Sequence, residues 1–224
     1  MKKLDYFFLL FFVSIVTLLI LPFTRDFIGD SSSKYPYLMG FIKTSILASY
    51  GEMLASRLMT KNYFSKNKFI FRFIVWGFLG MAFVLVFKIF DQGIKASLAA
   101  NLLPNVATGT FFDNIYIAFL TSFFMNIIFA PTFMILHRFT DTYLDLTKEK
   151  EKTNIKNIIE TIDWNNFFSF VVFKTIPLFW IPAHTITFLL PENFRVLSAG
   201  FLSIALGLIL SIAKIKKQKP LKNV

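Results

Sequence analysis

The chain has 224 residues, 55% of them hydrophobic and only 17% charged, with 31 Phe, no Cys and a mean hydropathy of +0.61. That balance is too apolar for a soluble domain of this size. The lack of cysteine excludes disulfides, thiolate catalysis and Cys-ligated metals. The net charge of +11 reads as cytoplasmic loop lysines facing anionic lipid headgroups, with no nucleic acid as partner, because loops of membrane proteins carry this bias.

A helix needs about 20 mostly apolar residues to cross the hydrocarbon core, and six stretches qualify. The first, residues 6–23, has no charge inside. Its basic start and apolar core resemble a signal peptide, but Leu21, Pro22, Phe23, Thr24 and Arg25 follow instead of a small-residue cleavage site, so it reads as an uncleaved anchor. The second, 38–60, is more polar but helical in spacing. The third is 69–90. A weaker outer element is expected over 93–104. The fourth, 114–139, is interrupted by Pro131, and the fifth, 166–190, by Pro177 and Pro182. Between them Ile155, Ile158, Ile159 and Ile162 recur at helical spacing, with Trp164 at the end. This predicts a short amphipathic helix, either lying on the inner membrane surface or packed on the loops. The sixth stretch is 195–213. The fold class is therefore all-α: a polytopic transmembrane bundle of about six spans with one interfacial helix. The division along the chain is an anchor span and outer loop over 1–34, then a helical membrane domain with a basic tail over 35–224.

The basic residues alternate between gaps. Lys2 and Lys3 come first; Arg57, Lys61, Lys66, Lys68 and Arg72 surround the second gap; Arg138, Lys148, Lys150, Lys152 and Lys156 fill the fourth; Lys214, Lys216, Lys217, Lys219 and Lys222 follow the last span. The positive-inside rule places all of these, and so both termini, in the cytoplasm. With no Arg-rich transit peptide in view, a bacterial inner membrane is expected.

The residues that break the apolar runs carry the functional expectation. Ser45, Ser49, Glu52 and Ser56 fall at i, i+4, i+7 and i+11, on one face of the second span. Thr44, Ala48, Gly51 and Ala55 form a small-residue stripe beside them. An ionisable group at membrane depth is costly, so Glu52 is expected to face the interior, as a path residue or as a structural carboxylate paired with Lys174, Lys43 or Lys88. In the fifth span Lys174, Pro177, Pro182, His184 and Thr187 suggest a broken, cavity-lining helix. His184 reads as a proton relay or as a satisfied structural histidine. His137 sits beside Arg138 at a span end and reads as interfacial. Gly200, Ser203, Gly207 and Ser211 form a packing seam within the subunit or between subunits of a homo-oligomer. No metal-ligand spacing, phosphate-cradling loop or nucleophile constellation is present, so no enzyme, cofactor or metal is expected.

From Tyr35 onward the chain resembles the small peroxisomal and mitochondrial membrane protein family typified by the Mpv-seventeen protein. Pro36 leads to Gly51 and Glu52 at the family's Pro and Gly-Asp spacing, with Ser56 in place of its Gln. Gly80, Phe87, Lys88 and Asp91 hold matching positions, while Met81 and Val84 replace its Pro and His. Phe129, Ala130 and Pro131 match its Phe-Ala-Pro, preceded by Met125 and Asn126 at its Asp-Gln positions. Trp164, Pro182, Phe188, Pro191 and Arg195 look like its last block. The resemblance covers residues 35–213 and leaves the first span outside. It implies an integral membrane protein, channel-like for small solutes or acting in membrane homeostasis, with Glu52 where the family has a buried Asp. The expected function is thus a pore or transport-like path for small polar solutes, lined by Ser45, Ser49, Glu52, Ser56, Asn126, His184 and Thr187, with Lys174 as counter-charge and Pro131, Pro177 and Pro182 as breaks. The alternative is a structural membrane protein that assembles through the sixth-span seam.

Overall fold

A computed structural model describes residues 3–64, 68–104, 111–147 and 153–218. Helix α1 (Lys3–Ile20) stops at Leu21, where Pro22 opens α2 (Pro22–Lys34); a proline at the first helical position lacks only a donor that would be unpaired anyway. The expected outer loop is thus largely helical. Pro36 opens α3 (Pro36–Thr60) in the same way. α4 (Phe69–Ala99) runs for 31 residues and absorbs most of the weak outer element expected over 93–104. The fourth stretch is two helices, α5 (Phe111–Ile128) and α6 (Ala130–Leu146), broken at Phe129 just before Pro131. α7 (Ile155–Thr161) is the expected amphipathic helix. The fifth stretch begins with the single turn α8 (Trp164–Asn166), continues as a π-helical segment (Phe167–Trp180) holding Pro177, and ends in α9 (Ile181–Leu189), with Pro182 in its first turn. α10 (Glu192–Gln218) closes the chain.

Among the described residues five helices are long and apolar enough to cross a membrane: α1, α4, α5, the continuous helix Trp164–Leu189, and α10. This supports a multi-pass membrane protein. α3, with 25 residues, is long enough but too polar to join them by composition. Its polar residues are hidden instead, because α3 packs along both α4 and α10. Small residues permit this. Gly80 of α4 meets Gly40 and Thr44 of α3, and Gly200 of α10 meets Leu47 of α3. Close backbone approach replaces the hydrophobic drive that lipid does not supply. The Gly200–Gly207 seam is therefore occupied within the subunit.

Two charged layers cap the bundle. At the end that holds both described chain ends, Arg57 forks onto Asp5 (2.8 and 2.9 Å) and Tyr63 donates to the same carboxylate (2.8 Å). Phe8 stacks on Tyr63 at 3.8 Å between ring centroids. Otherwise α1 is almost wholly outward-facing, as an anchor would be, with Phe8 its buried residue. Arg72, 2% exposed, is held by Asp141 and by Asp145 (2.6 Å). At the opposite end Asp91 binds Lys95 (2.7 Å) and Arg195 (3.3 Å), and Lys88 binds Glu192 (2.7 Å). α7 turns Ile158 and Ile162 onto Leu146, Phe139 and Trp164, while Ile155 and Ile159 point outward. One face is packed, on the end of α6 and on Trp164, and the other is exposed. Lys2, Lys66, Lys148, Lys150, Lys152, Lys219 and Lys222, which carry much of the expected charge bias, lie outside the described residues.

Candidate functional site

Among the described residues, two of the cavities enter the bundle from opposite ends. The larger, about 640 Å³, lies among α3, α4, α5, α6, the π-helical segment, α9 and α10. Its walls are mainly apolar, with Phe83, Met125, Phe129 and Phe133 prominent. The smaller, about 400 Å³, lies among the ends of α2 and α3, α4 and the start of α10, and is lined by Lys43, Lys88, Glu192, Asn193 and Arg195. Phe87 is a wall of both. Its ring is 4% exposed and packs on Phe83, His184 and Phe188 at 5.7, 5.7 and 5.3 Å between centroids.

Polar groups enter the larger cavity at two levels. Near Phe87, Asn126 is fully buried; its Nδ2 donates to the Ser122 carbonyl (2.8 Å), and its amide is hydrogen-bonded with His184 Nδ1, which lies 3.1 Å from Nδ2 and 3.3 Å from Oδ1. Trp180 stacks on the same imidazole at 5.1 Å. His184 is thus a positioned, hydrogen-bonded histidine on the cavity wall. Beside it, the hydroxyls of Ser122 and Thr185 both donate to the Ile181 carbonyl (2.7 and 2.8 Å), next to Pro182. Neighbouring hydroxyls thereby support the broken helix, as an interior without water requires.

At the far end of this cavity, Glu52 accepts a hydrogen bond from Trp76 Nε1 (3.1 Å). His137 lies against the same indole, 4.4 Å between ring centroids, with its Nε2 3.9 Å from Asp141 Oδ2. One donor atom each from Glu52, His137 and Asp141 falls within 4.8 Å of the others. No ligand spacing is visible in the sequence because Glu52 is on α3 and the other two on α6; the one available signal was the i, i+4 pair His137 and Asp141. Trp76 and Phe87 gave no polar signal at all.

Of the eight lining residues expected, Glu52, Ser56, Asn126 and His184 reach the larger cavity. Ser56 also donates to the Asn62 carbonyl (2.7 Å) beyond the end of α3. The other four do not reach it. Ser45 donates to the Phe73 carbonyl (2.9 Å) and ties α3 to α4. Ser49 is buried away from the cavity wall, its hydroxyl without a hydrogen-bond partner among the described residues. Thr187 pairs with Ser198 (2.9 Å) between α9 and α10. Lys174 is exposed on the outer side of the π-helical segment, whose inward residues are Phe167, Thr175 and Ile176, so it supplies no counter-charge to the cavity. The other expected partners of Glu52 are engaged elsewhere: Lys43 donates to Ser32 and to the Asn193 carbonyl (3.0 Å), and Lys88 pairs with Glu192. Pro131 and Pro182 open new helices and Pro177 lies within the widened winding, so all three mark departures from regular α-helix.

No protein-family model, no curated protein and no solved structure matches the chain.

Proposed function

We propose that this membrane protein forms a transport-like path for small solutes, closed in the present conformation at Phe87. The observation that carries the reading is that two cavities from opposite ends of the bundle share this one ring as a wall. An aromatic constriction between two cavities gates by excluding water. Around Phe87 the walls are mainly apolar, with polar contacts at Asn126 and His184, and the charged side chains stand away from the ring towards the two ends. A constriction of this kind suits small neutral or amphipathic solutes better than bare ions, which need a continuous polar lining. The motif order shared with the Mpv-seventeen family is in keeping with a channel-like role, and membership of that family is proposed with it. The alternating lysines favour both termini in the cytoplasm of a bacterial cell.

A purely structural role is favoured by the pairing of the buried charges Arg72 and Asp91. A cavity that reaches Glu52 weighs against it, as does a sixth-span seam already filled by α3. The deciding experiment is stopped-flow permeation of small neutral solutes into liposomes holding the purified protein. Phe87→Ala joins the two cavities and is expected to raise permeation several-fold over the native chain, whereas Phe87→Trp is not. A folded Phe87→Ala protein no faster than protein-free liposomes overturns the reading.

A further inference from the structure

The donors at the far end of the larger cavity have no part in closure at Phe87. We propose that Glu52, His137 and Asp141 form a binding site for a divalent transition-metal cation. Their chemistry is one imidazole nitrogen and two carboxylates, a set that suits zinc, manganese, iron(II) or cobalt and, through the imidazole, disfavours magnesium and calcium. Metal–ligand bonds of about 2.1 Å put tetrahedral donors about 3.4 Å apart. The three donors already lie within 4.8 Å of one another, and His137 Nε2 is 3.9 Å from Asp141 Oδ2. Small side-chain rotations close the remaining gap.

The surroundings orient these donors as the outer shell of a metal site does. Arg72 holds Asp141 through Oδ1, which leaves Oδ2 as the oxygen directed at His137. Trp76 donates to Glu52 Oε1 and packs its ring on the His137 imidazole. Both partners come from α4, whereas the donors come from α3 and α6, so three helices converge on the site. Glu52, Asp141 and Asp145 bring three carboxylates to this end of the cavity, where Arg72, Arg138 and Lys214 balance them, so the donor set and its geometry, not an excess of negative charge, mark the site. The cavity supplies the entry and leaves room for water in the open coordination positions.

The test is a titration of the full chain in detergent, stripped with chelator, with Co²⁺ followed by its visible d–d absorption. The expected result is one Co²⁺ per chain, displaced by Zn²⁺, with quenching of Trp76 emission. Glu52→Gln and His137→Gln are each expected to weaken binding by about tenfold or more. Glu160→Gln, which removes an exposed carboxylate on α7, should bind as the native chain does. Each variant is checked for folding by thermal melting. Two replacements at separate helices guard against the loss of one to misfolding, and the native spectrum reports nitrogen and oxygen ligation without any variant. No cobalt band in the native chain overturns the proposal, as does binding equal in folded His137→Gln. The measurement involves no flux, so its outcome is independent of whether solutes cross at Phe87.

Discussion

Gly80 and Gly93 both lie inside α4, and the same substitution at each should have opposite effects. A Cβ on Gly80 would stand 2.3 Å from the Gly40 carbonyl oxygen and 2.4 Å from Thr44 Oγ1, while one on Gly93 meets nothing within 4 Å. Ordinary contact begins near 3.4 Å, so Gly80→Ala forces α3 and α4 apart by about 1 Å along the crossing that hides the polar face of α3. Backbone on one side and a buried Thr on the other leave no flexible atom to yield. Overpacking of this kind costs about 1–3 kcal/mol. At Gly93 the alanine gains helix propensity, about 0.5–1 kcal/mol. At about 2–4 °C per kcal/mol for a chain of this length, melting of the purified proteins in detergent should show Gly80→Ala several degrees below the native protein and Gly93→Ala level with it or above. If Gly80→Ala melts with Gly93→Ala, the close α3–α4 crossing is wrong, and with it the reason a polar helix is tolerated in the bundle.

Asp91→Asn strips the carboxylate that Lys95 and Arg195 share, and Arg195 is only 11% exposed. Leaving a buried cation uncompensated costs about 3–5 kcal/mol, whereas Glu192→Gln breaks an exposed pair with Lys88 and should cost less than about 1 kcal/mol; equal melting temperatures would refute the layer of buried charge at that end. Burial, and then the hydrogen bond to Asp5, hold the Tyr63 phenol above its ordinary range. A raised folded pKa means that this stabilisation is fully present below about pH 10 and is lost as pH rises through the folded value. The stability difference between native protein and Tyr63→Phe should therefore shrink above pH ~10, and a difference constant across pH 8–11 would show that the phenol proton holds nothing. Permeation through Phe87→Ala and cobalt binding by Glu52→Gln and His137→Gln complete the set, and each fails on its own readout.

The sequence by itself determined most of the helices, the breaks at Pro131 and Pro182, and the alternation of basic gaps. Hydropathy, proline chemistry and charge bias act within about one span's length, so Pro131 and Pro182 mark interruptions in the chain as they do in the fold, whereas the helix that Pro22 opens in the expected outer loop was too polar to be read. It also placed Glu52, Asn126 and His184 in the interior, since polar groups at membrane depth must face inward. Only the tertiary structure decided how each helix is rotated about its own axis. The Gly40–Gly80 and Gly200–Leu47 contacts set the rotation of α3, which turns Ser45 onto α4 and Glu52 to the cavity although both belong to one stripe in the sequence. The π winding likewise turns Lys174 outward and Thr175 inward. Helix rotation depends on which small residues from distant segments meet. For that reason the place of Phe87 between two cavities had no signature along the chain, and the convergence of Glu52 with His137 and Asp141 had only the i, i+4 pair of α6.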